Sequence, residues 1–476
     1  MDIIRYELVN DAIKKAFALT DTNIHNNLNK KHEFMQQTIL TEESLTKIEK
    51  LEAIKILNIR YNRDKIIFNS GEKFFCENCQ SERFSTLYCE NCIRNYLKDN
   101  FSNWTSGNND IDDLIKNCQM NSLTPHMIVE WIPYYNLQNI KYFTRGGYSE
   151  IYIADWIDGG YSNWDSEQQQ LKRFGTHEVI LKRLENINNV NRSWFEEAKS
   201  HLTISSKWVD IVQCYGLTQD PETKDYMLVM HKMDSDLRNY LQQYHNQLTW
   251  KERIQIIIYI IGAIYRIHNE NAIYRDLHSG NILYFQEFNS WYIGDLGFCG
   301  PANKSLNSIY GNLPYIAPEV ISGKKCTFAS DIYSIAMLMW EIASGQPPFA
   351  HFNHDYDLAM NIVNGIRPKL VSGIPLEYKE LMEQCWDADP EKRPDIGAVL
   401  DKIKKLRKLY YQNIPEDNFN NKDPIKNFFN KFNLFQLSQQ KSLKINVINN
   451  SSKLLFTSKI YQFNNFPEPR NATEGD

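Results

Sequence analysis

The chain has 476 residues, 42% of them hydrophobic, which is too long for one ordinary core and favours two or three domains. Its 53 lysines and arginines stand against 58 aspartates and glutamates, a formal net charge of -5. That mild acidity argues against nucleic acid or an anionic membrane as the main partner. Nine cysteines, an odd count and mostly scattered, argue for a reducing compartment, cytoplasmic or nuclear, over a disulfide framework.

Residues 1–70 read as a helical N-terminal region, with no charged-then-apolar leader after Met1. LTKIEKLEAIKIL places Leu45, Ile48, Leu51 and Ile54 on one stripe, expected to pack on the rest of the protein. Residues 71–100 contain FFCENCQSERFSTLYCENCIRNYL, in which Cys76, Cys79, Cys89 and Cys92 form two C-x-x-C pairs. Each knuckle aims two thiolates at one point, and two knuckles make the tetrahedral S4 set that suits structural Zn²⁺. Four ordinary thiols or a redox pair is the plainer reading, and the duplicated C-E-N-C argues against it. So small a module would need metal to stay folded, and with the helices before it offers a surface for a partner protein.

A helical linker is expected over 101–139. From 140 to 408, strand-like segments (KYFTRGGYSEIYIADW, HEVILKRL, YMLVM) come first and helical ones after. This order implies an α+β unit of two lobes, a small β-rich one and a larger helical one. Thr249 with Glu252 forms a capping box ahead of IQIIIYIIGAI. That apolar run is too short to span a bilayer and reads as a buried helix. Residues 409–476 read as an Asn-rich, partly disordered tail with strand-like pieces such as LKINVI. It carries an N-A-T sequon at Asn471, expected to be inert in such a compartment.

Chemistry concentrates in a series of short motifs. In order they are TRGGYSEIY, a glycine-containing turn; VILK, a strand ending in Lys182; WFEEAK, a helix with Glu197; IYRDLHSGNIL, with Arg275, Asp276 and Asn281; YIGDLGF, with Asp295; and YIAPEV, with Glu319. The series, over roughly Ile140 to Leu406, resembles the eukaryotic protein kinase domain. DLHSGN, the Met-Trp-Glu run and CWDADPEKRP are most similar to the tyrosine-kinase-like group. The N-terminal module and tail resemble a large family of such kinases expanded in some fungi.

The resemblance implies a bilobal kinase fold, with ATP and Mg²⁺ as cofactors and protein Ser/Thr or Tyr hydroxyls as acceptors. Phosphoryl transfer needs a lysine on the phosphates, a carboxylate to fix it, oxygen ligands for Mg²⁺ and a base for the acceptor hydroxyl. Carried over, Lys182 grips phosphates and pairs with Glu197, Asp276 is the base, and Asn281 and Asp295 hold Mg²⁺. Phe143, Gly146, Gly147 and Ile151 cover the nucleotide. Ile180 and Leu283 flank the adenine, and Met230 with HKM forms the hinge. Asp331 would anchor the catalytic loop and Arg393 would pair with Glu319. Arg275 would clamp a phosphate on the activation loop, with Ser308 the best acceptor, then Ser305 and Tyr310.

The departures are specific. Thr144 and Ser149 replace two glycines of the turn, and Ile180 replaces a small residue against the adenine. The segment from Ile151 to Val179 is long, with DGGYSNW expected as an exposed loop. Tyr274 stands where a histidine is usual and is expected to fill the same slot against Leu296. His278 and Asn312 stand where lysine and threonine are usual in Ser/Thr kinases. Two alternatives remain beside a working kinase: a scaffold that keeps the fold and binds partners without turnover, and an adaptor whose main function is the zinc module.

Overall fold

A computed structural model describes residues 4–146, 149–185, 194–301, 309–412, 458–463 and 466–472. The N-terminal region is three helices, α1 (Tyr6–Leu19), α2 (Leu28–Leu40) and α3 (Lys47–Ile67). They bury Val9, Ala16, Met35, Ile39, Ala53 and Leu57 among themselves. The helix α3 begins at a capping box, Thr46 with Glu49. The buried face of α3 is not the expected stripe, because Ile48 and Leu51 are 44% and 60% exposed. Glu49, Ala53 and Leu57 face inward instead, because Glu49 turns in to pair with Arg5 at 2.8 Å and fixes the rotation of the helix. The helices rest on the large lobe, where Lys14 Nζ donates to the Asn289 carbonyl at 2.9 Å and Lys408 pairs with Asp21 at 2.8 Å.

The cysteine module is a short hairpin, β1 (Phe74–Phe75) with β2 (Glu82–Arg83), followed by α4 (Glu90–Asp99). Beyond it the expected linker is largely part of the small lobe. The helix α5 (Asn109–Met120) lays Ile111, Leu114, Ile115 and Cys118 against the sheet and its helix. The strand β3 (Glu130–Trp131) then adds a parallel edge. That edge requires Gly216, where a Cβ would lie 1.8 Å from the Glu130 carbonyl oxygen.

The small lobe comprises β4 (Leu137–Gly146), β5 (Ser149–Trp156), β6 (Tyr161–Asp165), β7 (Gln170–Arg173), β8 (His177–Arg183), α6 (Trp194–Ser205), β9 (Cys214–Gln219) and β10 (Tyr226–His231). Six strands form one twisted sheet in the order β3-β9-β10-β8-β5-β4. Strand alternation divides its residues between two faces. Val179, Leu181, Met227 and Val229 enter one apolar cluster, while Ile180, Leu228 and Met230 enter the other, against α5 and α6. DGGYSNW is not an exposed loop. It leads into the β6–β7 hairpin, which docks on the cysteine module through Trp164, packed against the sulfurs and edge-on to Tyr96. The insertion is the joint between the two modules.

The large lobe comprises β11 (Ser235–Asp236), α7 (Leu237–Tyr244), α8 (Trp250–Asn269), β12 (Ala272–Ile273), β13 (Ile282–Phe285), β14 (Ser290–Ile293), β15 (Gly300–Pro301), β16 (Ile309–Gly311), α9 (Pro318–Ile321), α10 (Phe328–Ser344), α11 (Tyr356–Val363), α12 (Leu376–Cys385) and α13 (Ile396–Tyr411). Helix α8 starts at the Thr249–Glu252 capping box and buries its isoleucines, and α10 is buried on almost every side. Buried all round, α10 forms the centre of the lobe. No described helix is long and apolar enough to cross a membrane. Of the tail, β17 (Lys459–Tyr461) pairs antiparallel with β16, and the described residues after it lie on the large lobe. LKINVI lies outside the described residues.

Candidate active site

Lys182 stands one residue before the end of β8 and shares a face with Ile180, so alternation directs its ammonium toward the cleft. Its Nζ lies 2.8 Å from Glu197 Oε1 on α6 and 2.7 Å from Asp295 Oδ1. Glu197 is 1% exposed, and a buried carboxylate of this kind requires a cation. One lysine therefore ties a helix of the small lobe to a loop of the large one. A further tie is absent from the sequence reading: the Leu296 N–H donates to His201 Nε2 at 3.1 Å. His201 lies four residues after Glu197, on the same face of α6, which is the signal that would have found it.

The loop after β12 is set by α10. Asp331, 1% exposed, accepts from the Tyr274 N–H at 2.9 Å and the Arg275 N–H at 3.0 Å, and lies 2.9 Å from His268 Nε2. Arg275 and Asp295 have φ of 71° and 36°. Such left-handed backbone costs on the order of 1 kcal/mol per residue and persists where surrounding bonds enforce it. Tyr274 is fully buried and its phenol donates to the Gly294 carbonyl at 2.6 Å. Burial and the nearby carboxylates of Asp295 and Asp276 hold that phenol protonated. Tyr274 and Leu296 lie in one apolar cluster.

Asn281 Nδ2 donates to the Asp276 carbonyl at 2.9 Å. The β13–β14 register, Ile282 opposite Ile293, brings Asn281 beside Gly294, whose N–H donates to the Asn281 carbonyl at 2.9 Å. Asn281 and Asp295 therefore sit at the same end of one hairpin. The Arg275 guanidinium donates to the carbonyls of Phe298, Gly300 and Pro301 at 3.1, 3.0 and 2.6 Å. Ser308 and Ser305, the expected acceptors, lie outside the described residues, as does Gly147.

On the nucleotide side, Ile180, Met230, Met233 and Leu283 share one apolar cluster. Ile151 pairs with Lys182 across the sheet. In the glycine turn Gly146 pairs with Ser149, Ser149 is buried, and Phe143 is exposed. Below the cleft, Glu319 and Arg393 form a two-pronged buried pair at 2.8 and 2.7 Å.

No sequence signal pointed to the group that lies on Asp276. Ser458 of the tail donates to Asp276 Oδ1 at 2.6 Å.

The model of the protein tyrosine and serine/threonine kinase family matches residues 137–403, more than half of the chain. The chain belongs to that family. Among relatives, a dual serine/threonine and tyrosine protein kinase of Pimephales promelas is 28% identical over 273 residues, 55% of this chain and 28% of that protein. Those of Mus musculus and Homo sapiens are 32% and 33% identical over 184 and 177 residues, 38% and 36% of this chain but 19% and 18% of theirs. The chain thus spans less than a third of the length of these relatives. The family match begins at residue 137, after the cysteine module, whose geometry is the evidence for its role.

In that module Cys76 Sγ and Cys92 Sγ are 3.6 Å apart, Cys79 Sγ and Cys89 Sγ are 3.5 Å apart, and all four sulfurs lie within 4.8 Å of one another. A tetrahedral site with Zn–S bonds of about 2.3 Å has edges of roughly 3.8 Å. No cysteine is in a disulfide among the described residues. Amides of Asn78 and Asn91 approach Cys92 Sγ and Cys79 Sγ at 3.5 and 3.6 Å, as outer partners of thiolate ligands do. The donor set fits zinc.

Proposed function

We propose that the protein is an ATP-dependent protein kinase of the tyrosine-kinase-like group that transfers the γ-phosphate to protein hydroxyls, serine and threonine first. The observation that carries this reading is Lys182 held between Glu197 and Asp295 at 2.8 and 2.7 Å. That arrangement supports the reading because phosphoryl transfer needs a phosphate-gripping cation and a metal-binding carboxylate close together in the cleft.

In the mechanism Lys182 binds phosphate oxygens, and Glu197 holds it in place. Ile180, Met230 and Leu283 supply the apolar surface for adenine, with Ile151, Phe143 and Gly146 above. Asn281 and Asp295 would hold Mg²⁺ through hard oxygen donors, and when bound the ion neutralises charge on the phosphates. Asp276 accepts the proton of the attacking hydroxyl. Thr144 and Ser149 place side chains in the covering turn, so nucleotide binding is weaker than an all-glycine turn would give. Arg275 is the cation for a phosphate on the activation loop, with Ser308 the first candidate. The cysteine module holds one structural zinc and, with α1–α3, presents a surface for a partner protein. Nine cysteines outside any disulfide support a reducing compartment, the cytoplasm or nucleus. The module and tail suit the fungal expansion that the sequence resembles.

The test is transfer of labelled phosphate to a generic protein substrate by the purified chain, beside Asp276→Asn and Asp295→Ala. Label that disappears in both variants supports the kinase. Folded, zinc-loaded protein that binds Mg·ATP and transfers nothing would make it a scaffold.

A further inference from the structure

The described part of the tail is bound as an extended peptide on the mouth of the active site. Strand β17 pairs antiparallel with β16, with Lys459 opposite Gly311, Ile460 opposite Tyr310 and Tyr461 opposite Ile309. Adding a strand to an exposed edge is a standard way of holding a peptide, main-chain bonds giving affinity and side-chain pockets the register. Here the register is held firmly. Tyr461 is 9% exposed in the main core of the large lobe and stacks on Phe463. Further along, Lys324 pairs with Glu468, and the Arg470 N–H donates to the Val363 carbonyl. Asn471 joins the Ala388 N–H to the Asp387 carboxylate. At Gly365 a Cβ would lie 2.3 Å from the Ala472 nitrogen, so the lobe is cut to admit this chain.

The register brings one hydroxyl to the base. Ser458 is 8% exposed and lies 2.6 Å from Asp276 Oδ1 and 3.0 Å from His278 Nε2. His278 Nδ1 accepts from the Gly280 N–H at 3.1 Å, which assigns the ring proton to Nε2. His278 therefore donates to Ser458 Oγ, and the hydroxyl proton points at Asp276. This is the geometry a general base needs before it takes a proton.

We propose that Ser458 is a phosphoacceptor of this chain's own active site, modified in cis, and that the tail fills the groove for protein substrates until it is modified. The proposal rests on the kinase reading. In the step, the Ser458 proton passes to Asp276 and a bond forms between Ser458 Oγ and the γ-phosphorus of ATP. The bond from that phosphorus to the β,γ-bridging oxygen breaks, and ADP leaves with the electron pair. The products are phosphoserine, ADP and one proton. A phosphate dianion against the carboxylate of Asp276 is repelled, so the modified tail leaves and the groove opens. An outside substrate would present serine with an aromatic residue three positions later, as Tyr461 follows Ser458.

The test uses the purified full chain with Mg²⁺ and labelled ATP, with casein as a separate acceptor and phosphosites mapped by mass spectrometry. Ser458 is expected to be labelled at a rate per molecule unchanged over a roughly hundred-fold dilution, as an intramolecular step requires. Ser458→Ala removes that label and slows transfer to casein, because a tail that cannot be modified stays in the groove. Tyr461→Ala, which loosens the tail without touching the catalytic groups, slows labelling of Ser458 and raises transfer to casein. Labelled casein with no phosphate on Ser458 overturns the proposal and leaves the kinase standing. A rate at Ser458 proportional to protein concentration overturns modification in cis. No label on either acceptor overturns both readings.

Discussion

The phenol of Tyr274 donates to the carbonyl of Gly294 at 2.6 Å, so the residue in place of the usual histidine is bonded to the residue just before Asp295. Tyr274→Phe keeps the ring and leaves a buried carbonyl unmet, at a cost of about 1–3 kcal/mol. The melting temperature should fall. Phosphate transfer should fall with it, but by less than the roughly 10²-fold that loss of a general base produces. An equal loss in Tyr274→Phe and Asp276→Asn would show that the phenol acts in the chemistry itself.

Arg393 and Glu319 face each other with two short bonds, both nearly inaccessible to solvent. Removing one partner strands a buried charge, so Arg393→Ala should destabilise the large lobe by about 3–5 kcal/mol in urea unfolding. The double variant Arg393→Met, Glu319→Leu should recover most of that loss, since an apolar pair has no charge to desolvate. A double variant no better than the single would point to lost packing as the cause.

Elemental analysis of the purified chain should find one zinc per molecule, and a chelator should lower the melting temperature. The effect should reach the small lobe, because the β6–β7 hairpin packs Trp164 against the sulfurs. Cys89→Ser should reproduce the chelated state. Metal-free protein with an unchanged melting temperature would sink the zinc assignment.

His231, at the end of β10, is pushed down to about 4 by burial, helped by His177, and its Nδ1 lies 2.9 Å from the Tyr215 hydroxyl. Below its ordinary value of 6.5 the unfolded chain takes up a proton that the folded chain refuses. The stability this neutral ring contributes is therefore complete above pH 6.5 and drains away as pH falls toward 4. At full extent the loss is on the order of 3 kcal/mol. Urea unfolding of the wild type and His231→Gln at pH 7.5 and pH 5 checks it, and the variant should lose less on acidification.

Much of this was legible before any coordinates. Lys182 was readable because VILK is a strand and alternation fixes which way its last side chain points. The capping box at Thr249 was readable because it needs only residues three apart. The α3 stripe misled because Ile48 and Leu51 fit a helical period, and periodicity alone does not say that Glu49 will turn inward for Arg5. DGGYSNW misled for a similar reason. Its glycines and polar residues have loop composition, and its strand exists because the cysteine module gives Trp164 a surface to cover.

By itself the sequence determined most of the local elements and the order of the motifs, since both depend largely on neighbours in the chain. It also marked the four cysteines, whose spacing is a local property. Only the tertiary structure decided which distant groups meet. Ser458 reaches Asp276 across 182 positions, through a register set by β16, and His201 reaches the loop after Asp295 only because α6 packs against it. Such contacts are fixed by how elements dock, a property of the whole packed chain that no single segment encodes.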